Sequence, residues 1–251
     1  MKELYMSILS GLKRDDSKVE APKDTLGGGY SVLPSDAYTA LVKMAYLGKS
    51  TGGAAFIDFE FKLDNDSTHK ERIYISSGDA KGNSNQYERN GKKYYLPGFI
   101  VADDIAAVTT GHLLADQNDS VEDKIIKVYD FDAKGEVDKE VPVITSLIGK
   151  KLKLGIRKVK EFKRKEINGQ WKTIDEVREF NEIDKVFDED GFTVLEKFEQ
   201  NDEPEFIEQW VDRNKGKEKD LTKNKKPEVT GTAGSGSGSP LTPKKSLFPK
   251  K

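Results

Sequence analysis

The sequence predicts a mainly β fold, on the evidence of period-2 alternation and of two tight-turn signals. Apolar residues occupy every second position in 55–63 and in 152–156, the pattern of strands with one face in a core and the other in water. Asn90-Gly91 and Asn168-Gly169 each supply two residues that tolerate positive φ. Such a pair is the strongest short-range signal for a β-hairpin.

The composition of the 251-residue chain indicates one modest globular unit with polar extensions. Apolar residues make up 35% and charged residues 34% of the chain, against the usual ~45–50% and ~25%. The chain has no cysteine, which excludes disulfides, thiolate metal sites and a cysteine nucleophile, and suits a reducing cytoplasm. We find no signal peptide and no apolar run near the ~20 residues that cross a bilayer, so we expect no membrane association.

Five strands are predicted: three in the first third of the chain, then a long insertion, then two more. A five-stranded Greek-key barrel with a helix between its third and fourth strands, the OB-fold, has this order. The insertion spans about 77–146 and contains a helix that begins after Pro97 and ends near Gly111. We therefore predict an OB-fold core over residues 30–200. The strand candidates are 38–46, 55–63, 72–76 and the two halves of the hairpin 147–188.

The segments outside this core are predicted to be an arm, an acidic extension and a tail. Residues 1–29 form the N-terminal arm, in which apolar spacing indicates a short amphipathic helix over 3–13. Residues 201–214 form an acidic helical extension. Residues 215–251 are rich in Lys, Gly and Ser and poor in apolar side chains, so we expect a flexible, disordered basic tail.

Charge is segregated along the chain, although the formal net charge is only −2. Residues 149–172 hold ten Lys or Arg and two Glu, a net charge of +8. Residues 173–212 hold fifteen acidic and three basic residues, and 215–251 hold ten Lys and three acidic residues, which gives −12 and +7. Such blocks usually mark electrostatic interaction surfaces.

The basic hairpin carries aromatic side chains among its cations, as a surface for single-stranded nucleic acid requires. Cations follow the phosphates, and flat rings stack on unpaired bases. Because side chains alternate along a strand, Tyr74 points outward if Ile73 and Ile75 point into the barrel. The alternatives are that Tyr74 packs on a neighbouring loop and that Trp171 covers the core. The predicted DNA contacts are Arg72, Tyr74, Lys153, Arg157, Lys163, Arg164, Trp171 and Lys172.

The sequence contains no recognisable constellation for catalysis. His69 and His112 lie in no metal-binding spacing and in no Ser-His-Asp context, and the chain has no phosphate loop or nucleophile elbow. The acidic residues of 182–190 leave a metal-dependent nuclease as an alternative, although a solvated acidic face is the simpler interpretation. We therefore predict a non-enzymatic protein without metal or cofactor.

Three short motifs in order resemble those of bacteriophage single-stranded-DNA-binding proteins. They are Ile75–Asn83, Tyr94–Phe99 and Asn181–Lys185, and the resemblance covers roughly 25–215. It implies an OB-fold core and sequence-tolerant coating of single-stranded DNA. It also implies a role in phage DNA replication and recombination, in the cytoplasm of the infected bacterium.

The lysine-rich segment at the end of the sequence departs from the acidic tail of many such proteins. It is more similar to the binding proteins of podophages that carry a virion RNA polymerase, where a basic C-terminus contacts host RNA polymerase and activates transcription. This resemblance leaves three roles open for the segment: recruitment of a replication or host RNA polymerase, added affinity for DNA, or an adaptor function for which the barrel is only a scaffold. The implied partner contacts are Lys244, Lys245, Phe248, Lys250 and Lys251.

Overall fold

The computed structural model describes residues 32–130, 134–223 and 225–229. These residues form a mainly β protein, as predicted, around an antiparallel sheet of many strands. The predicted N-terminal arm and the partner contacts of 244–251 lie outside the described residues.

The first three strands form an antiparallel meander, and their alternation was readable in the sequence. Phe59, Phe61 and Leu63 on β2 are buried, while the charged residues between them are half-exposed. In β2 the side chains alternate between core and solvent, as the period of two requires. The strands are β1 (Asp36–Lys49), β2 (Ala55–Leu63) and β3 (Thr68–Tyr74).

The predicted hairpin is confirmed as two long strands, β8 (Lys151–Ile167) and β9 (Gln170–Phe187). Its turn is Asn168-Gly169, and both residues have positive φ, at 54° and 75°. β8 pairs with β1 through Lys151–Ile156, so the five main strands lie in the order β3-β2-β1-β8-β9.

This sheet stays open in the described part of the chain, so the closed five-stranded barrel is not confirmed. No backbone ladder joins β3 to β9 there. A side chain spans the gap: the Glu71 carboxylate of β3 accepts a 2.9 Å hydrogen bond from the backbone N–H of Ile183 in β9.

The predicted insertion contains two hairpins and a helix. Asn90-Gly91 turns the first hairpin, again with positive φ at both residues. The helix α1 (Pro97–Thr110) begins with Pro at its first position and ends at Gly111, whose φ of 75° is left-handed, so both predicted ends are confirmed. The hairpin strands are β4 (Gln86–Arg89), β5 (Lys92–Tyr95), β6 (Val121–Asp130) and β7 (Gly135–Ile144).

The helix α1 packs against β3 and β9 and fills the open side of the sheet. Its buried residues Ala102, Ile105 and Ala106 belong to the main apolar cluster. Its close approach to β3 needs Gly98, because a Cβ there would lie 2.3 Å from the carbonyl oxygen of Tyr74. Among the described helices none is by itself long and apolar enough to cross a bilayer. Only α1 and the short 3₁₀ helix Leu114–Ser120, taken together, reach the required length and apolar composition, and the two are bent by 61° relative to each other.

Two short helices and an edge strand follow β9. They are α2 (Val194–Phe198), α3 (Glu205–Asn214) and β10 (Glu218–Asp220), which pairs in parallel with β8. Val229 forms a further bridge to Ile174 in β9. The prediction of a disordered tail from residue 215 is therefore wrong for 215–223 and 225–229. An edge strand such as β10 is held mainly by hydrogen bonds of its backbone, so a composition poor in apolar side chains does not exclude it.

Candidate nucleic-acid interface

Arg72 and Tyr74 lie on the outward face of β3, as the alternation predicted. The Arg72 guanidinium donates two 2.7 Å hydrogen bonds to Asp58 and lies 3.8 Å above the ring of Phe56. The hydrogen bonds to Asp58 raise the pKa of Arg72 above its already high ordinary value. The Tyr74 ring meets Phe56 edge-on yet remains 46% exposed. The charge of Arg72 is therefore balanced locally, while the ring of Tyr74 is free to stack.

Arg157 is half-buried and paired with a carboxylate of β9. Its guanidinium lies 2.8 Å from the Asp184 carboxylate, which also accepts a 2.7 Å hydrogen bond from the indole N–H of Trp210 in α3. Trp210 is buried over Gly155, where an added Cβ would come within 3.0 Å of the indole. The acidic helix α3 thus covers this part of β8. Lys153 lies two residues before the covered glycine, half-exposed and without a described carboxylate partner.

The remaining predicted contacts lie on a two-stranded arm. After Lys160, which pairs with β10, β8 pairs only with β9, and we call residues 161–178 the β8–β9 arm. On its β9 side Val229 bridges to Ile174. Its ring Trp171 is 61% exposed, so it does not cover the core. Lys163 is bonded to Glu176 at 3.0 Å, and Arg164 donates to the carbonyl of Trp171 at 3.3 Å.

The arm also places two like charges opposite each other. Lys165 and Lys172 are direct cross-strand partners, and neither has a carboxylate within 4.0 Å among the described residues. Like charges in this position destabilise a hairpin unless an anion lies between them. A phosphate group between Lys165 and Lys172 would neutralise both charges, which favours binding of a polyanion by the arm.

The structure therefore separates the predicted residues into two groups, with Lys153 in neither of them. Arg72 and Tyr74 border a cleft of about 450 Å³ between β3, α1 and β9, and Asp184, the partner of Arg157, borders the same cleft. Lys163, Arg164, Trp171 and Lys172 belong to the arm.

Sequence reasoning missed a second set of exposed rings beside this cleft. Tyr87, Tyr94 and Tyr95 of the β4–β5 hairpin are 40%, 44% and 50% exposed. Tyr87 stacks on Tyr94 with ring centroids 5.7 Å apart, and Tyr95 stacks on Phe99 at 5.2 Å. Pro97 and Ile100 border both the hairpin depression and the Tyr74 cleft, so the two depressions adjoin. Tyr94 and Tyr95 are consecutive in β5, so their side chains leave opposite faces of the hairpin, and Tyr87 shares the face of Tyr94. We call Tyr74, Tyr87, Tyr94 and Tyr95 the tyrosine surface.

Three cations of the β4–β5 hairpin have no close carboxylate partner among the described residues. Arg89, Lys92 and Lys93 are exposed, and within the described parts of the chain none lies within 4.0 Å of a carboxylate. Lys93 borders the shallow depression formed by the tyrosines. The local signal was Lys-Lys-Tyr-Tyr directly after the Asn90-Gly91 turn. The sequence does not predict that this segment is exposed, because its exposure depends on whether another part of the chain packs against the hairpin.

The outer face of β1–β3 offers a rival groove that is charge-balanced. Glu60 holds both Lys43 at 2.7 Å and Lys70 at 2.9 Å. A groove of about 640 Å³ runs between this face and the β6–β7 hairpin. Burial, together with the neighbouring Asp58, raises the pKa of Tyr46 in this groove to about 12. Lys43, Lys70 and Arg72 in this groove are already paired with carboxylates, with which phosphates would have to compete, and Lys127 has no ion pair among the described residues.

Two acidic residues after β9, Asp188 and Glu196, have structural roles in the fold. Asp188 accepts hydrogen bonds from three backbone N–H groups, those of residues 190–192. Burial opposes ionisation, but Lys197 and these N–H groups outweigh it and lower the pKa of Asp188. Glu196 forms a capping box with Thr193 at the start of α2. No group of three or more potential ligands in the described residues is placed to hold a metal ion.

No known protein family matches this chain, and a search of curated proteins finds no match either. The resemblance to phage single-stranded-DNA-binding proteins therefore remains an expectation from the motifs.

Proposed function

We propose that this protein binds single-stranded DNA with little sequence preference and without enzymatic activity. The observation that carries the proposal is the tyrosine surface: four exposed rings that border two adjoining depressions, together with three cations of the β4–β5 hairpin that have no described carboxylate partner. The flat faces of exposed tyrosine rings fit unpaired bases.

The mechanism combines electrostatic capture with base stacking. Arg89, Lys92 and Lys93 attract the phosphates, and binding releases the counterions that the DNA carried, so affinity falls as salt rises. The rings then stack on successive bases at ~1–3 kcal/mol per base. Duplex DNA hides its bases, so the stacking term favours single strands. The β8–β9 arm adds Trp171 and the Lys165–Lys172 pair as a second contact region.

An OB-like barrel is the architecture that we propose for this site. The strand order β3-β2-β1-β8-β9 fits that fold. The position of α1 also fits, because in the sequence it lies between β3 and β8, the third and fourth of these five strands. The gap between β3 and β9 is spanned by Glu71, which supports a partly open form of it.

The biological setting in this proposal is phage DNA replication and recombination in the cytoplasm of an infected bacterium. Its support is the resemblance of the three sequence motifs. The alternative is an adaptor that activates host RNA polymerase through the segment 244–251, with the barrel as scaffold. Deleting 240–251 should abolish activation and leave DNA affinity in place, if the tyrosine surface is the DNA site.

A fluorescence titration with labelled oligo-dT tests the proposal. Tyr94→Ala and Tyr95→Ala should each weaken binding ~5- to 150-fold, the equivalent of ~1–3 kcal/mol. Tyr94→Phe should stay close to wild type, because it keeps the ring. Ile125→Ala is the matched control, since Ile125 is 73% exposed on β6, outside the proposed surface.

Two results would contradict the proposal. One is equal affinity of the wild-type protein for oligo-dT and for duplex DNA. The other is an affinity for oligo-dT that Tyr94→Ala and Ile125→Ala leave equally unchanged. Degradation of the oligonucleotide in Mg²⁺ would instead indicate the nuclease alternative.

A further inference from the structure

The Tyr74 cleft, between β3, α1 and β9, has the size and the lining of a small-ligand pocket. Its volume of about 450 Å³ lies within the ~300–1,000 Å³ that is typical of such pockets. One face of α1 borders it, because residues 97, 100, 101 and 104 follow one another at helical spacing. The ring of Tyr74 at its border is 46% exposed. The apolar residues of the lining, which suit a flat ring, are Ile73, Pro97, Ile100, Val101 and Ile183.

Seven charged residues border this cleft, and five of them are already engaged by other groups. The other two are Asp104 of α1 and Lys185 of β9, and neither lies within 4.0 Å of an opposite charge among the described residues. Because its charges are nearly balanced, the cleft suits an uncharged group better than a phosphate. The engaged pairs are Glu71 with His69, Arg72 with Asp58, Lys219 with Glu182, and Asp184 with Arg157.

Asp104 has no hydrogen-bond donor within the described parts of the chain. It is half-buried, and burial raises its pKa to about 6 against the attraction of Lys185, while Asp103 adds to the shift. Lys185 is exposed, and its Nζ lies 5.6 Å from the ring centroid of Phe206, so it does not supply the missing hydrogen bond. An ionised carboxylate away from water is costly unless N–H groups donate to it. Asp104 therefore favours a ligand that brings its own donors.

We propose that the Tyr74 cleft holds one base of the bound strand and prefers guanine at that position. This inference rests on the proposed DNA binding and adds one position of preference to an otherwise tolerant site. On its Watson–Crick edge guanine carries two adjacent donors, N1–H and N2–H₂, which fit the two oxygens of the Asp104 carboxylate.

The other bases offer a carboxylate less. Thymine has a single N–H between two carbonyl oxygens. Cytosine and adenine each have one amino group beside a ring nitrogen that only accepts. The Asp104 carboxylate thus gains two hydrogen bonds from guanine and at most one from any other base.

A competition titration against labelled oligo-dT at pH 7.5 measures this preference. The competitors are a short oligo-dT and three oligonucleotides of the same length whose central thymine is replaced by guanine, inosine or cytosine. Inosine is the matched ligand, because it keeps the ring system and the N1–H of guanine and lacks only the 2-amino group. Guanine should improve the affinity over thymine ~5- to 150-fold, and inosine should lie between them.

Asp104→Asn should remove the preference for guanine over inosine, because an amide offers one oxygen where the carboxylate offers two. Asp103→Asn is the matched control and should keep the preference. It makes the same change of charge on the same helix, outside the cleft lining, and retains the oxygen that accepts from the backbone N–H of Leu114. At pH 5 the wild-type preference should shrink several-fold, because a protonated carboxyl group loses one acceptor.

The outcomes separate this inference from the proposed function. Wild type that binds all four oligonucleotides with equal affinity overturns the guanine position, while the proposed DNA binding stands. A guanine preference that Asp104→Asn leaves intact also overturns it. Failure of every oligonucleotide to bind would contradict the proposed function itself, and the guanine position would fall with it.

Discussion

Glu71 is the residue whose replacement tests most sharply how the open sheet is held together. One carboxylate oxygen of Glu71 accepts from the backbone N–H of Ile183 and lies 2.9 Å from Nε2 of His69. Ile183 is 6% and His69 3% exposed, so neither group has ready access to water. A carboxylate only accepts when ionised, so the His69 ring donates to it.

Glu71→Ala leaves both buried groups without this acceptor. Each unsatisfied buried polar group costs ~1–3 kcal/mol, so the variant should lose ~2–6 kcal/mol of unfolding free energy. With a urea m-value of ~2–3 kcal/mol per molar, the unfolding midpoint should fall by ~1–3 M. Glu71→Gln keeps an oxygen in the same place, so it should lose only ~1 kcal/mol.

Urea unfolding followed by circular dichroism measures these differences. Glu140→Ala on β7 is the control, because Glu140 is exposed and has no ion pair within the described residues. It should stay within ~0.5 kcal/mol of wild type. If Glu71→Ala also stays within that range, then Glu71 does not hold β9 to β3 and the reasoning about the gap is wrong.

Two further predictions concern a buried acid and an exposed ring. Burial raises the pKa of Asp104 to about 6, although Lys185 opposes the shift. The folded state therefore binds more protons than the unfolded state between ~pH 4 and 6, and stability falls as pH rises through that window. Asp104→Asn should stabilise the protein at pH 7.5 by ~1–2 kcal/mol after allowance for solvent screening, and by nearly nothing at pH 4. Urea unfolding at the two pH values checks this, and an equal effect at both would contradict it. Trp171 is 61% and Trp210 4% exposed, so acrylamide should quench mainly Trp171, and oligo-dT should protect it. Quenching that oligo-dT leaves unchanged would remove the β8–β9 arm from the binding surface.

Local signals in the sequence predicted much of the fold. Alternation predicted β2 and β8, and the two Asn-Gly pairs predicted the turns of the β4–β5 and β8–β9 hairpins. Pro97 and Gly111 predicted the ends of α1. Each of these features depends on residues near one another in the chain. Closure of the sheet depends on register and curvature across many strands, and no local pattern encodes it.

The candidate site was less accessible to sequence reasoning, because its charges are paired over long distances. Arg157 counts as a free cation in the sequence, yet Asp184 of β9 pairs with it, and the indole N–H of Trp210 in α3 donates to that same carboxylate. Arg72 is likewise balanced by Asp58 on the neighbouring strand. A count of charges along the sequence includes all of them, whereas the electrostatic surface retains only those left unpaired by the fold.

Sequence reasoning overestimates the number of free cations, but it underestimates the exposed rings of the tyrosine surface. Tyr94 and Tyr95 entered the sequence reasoning only through a family motif, since aromatic residues in a short hairpin most often pack on a core. Their exposure follows from the β4–β5 hairpin standing as a separate two-stranded sheet. Only the tertiary arrangement shows that it joins the Tyr74 cleft.

Photocrosslinking with an iodouracil-substituted oligonucleotide, read by peptide mass spectrometry, is the most direct measurement of where DNA binds. The account predicts crosslinks at Tyr74, Tyr94 and Tyr95, which high salt removes. Crosslinks confined to Tyr46, in the groove under the β6–β7 hairpin, would contradict it, because DNA would then lie on the charge-balanced face.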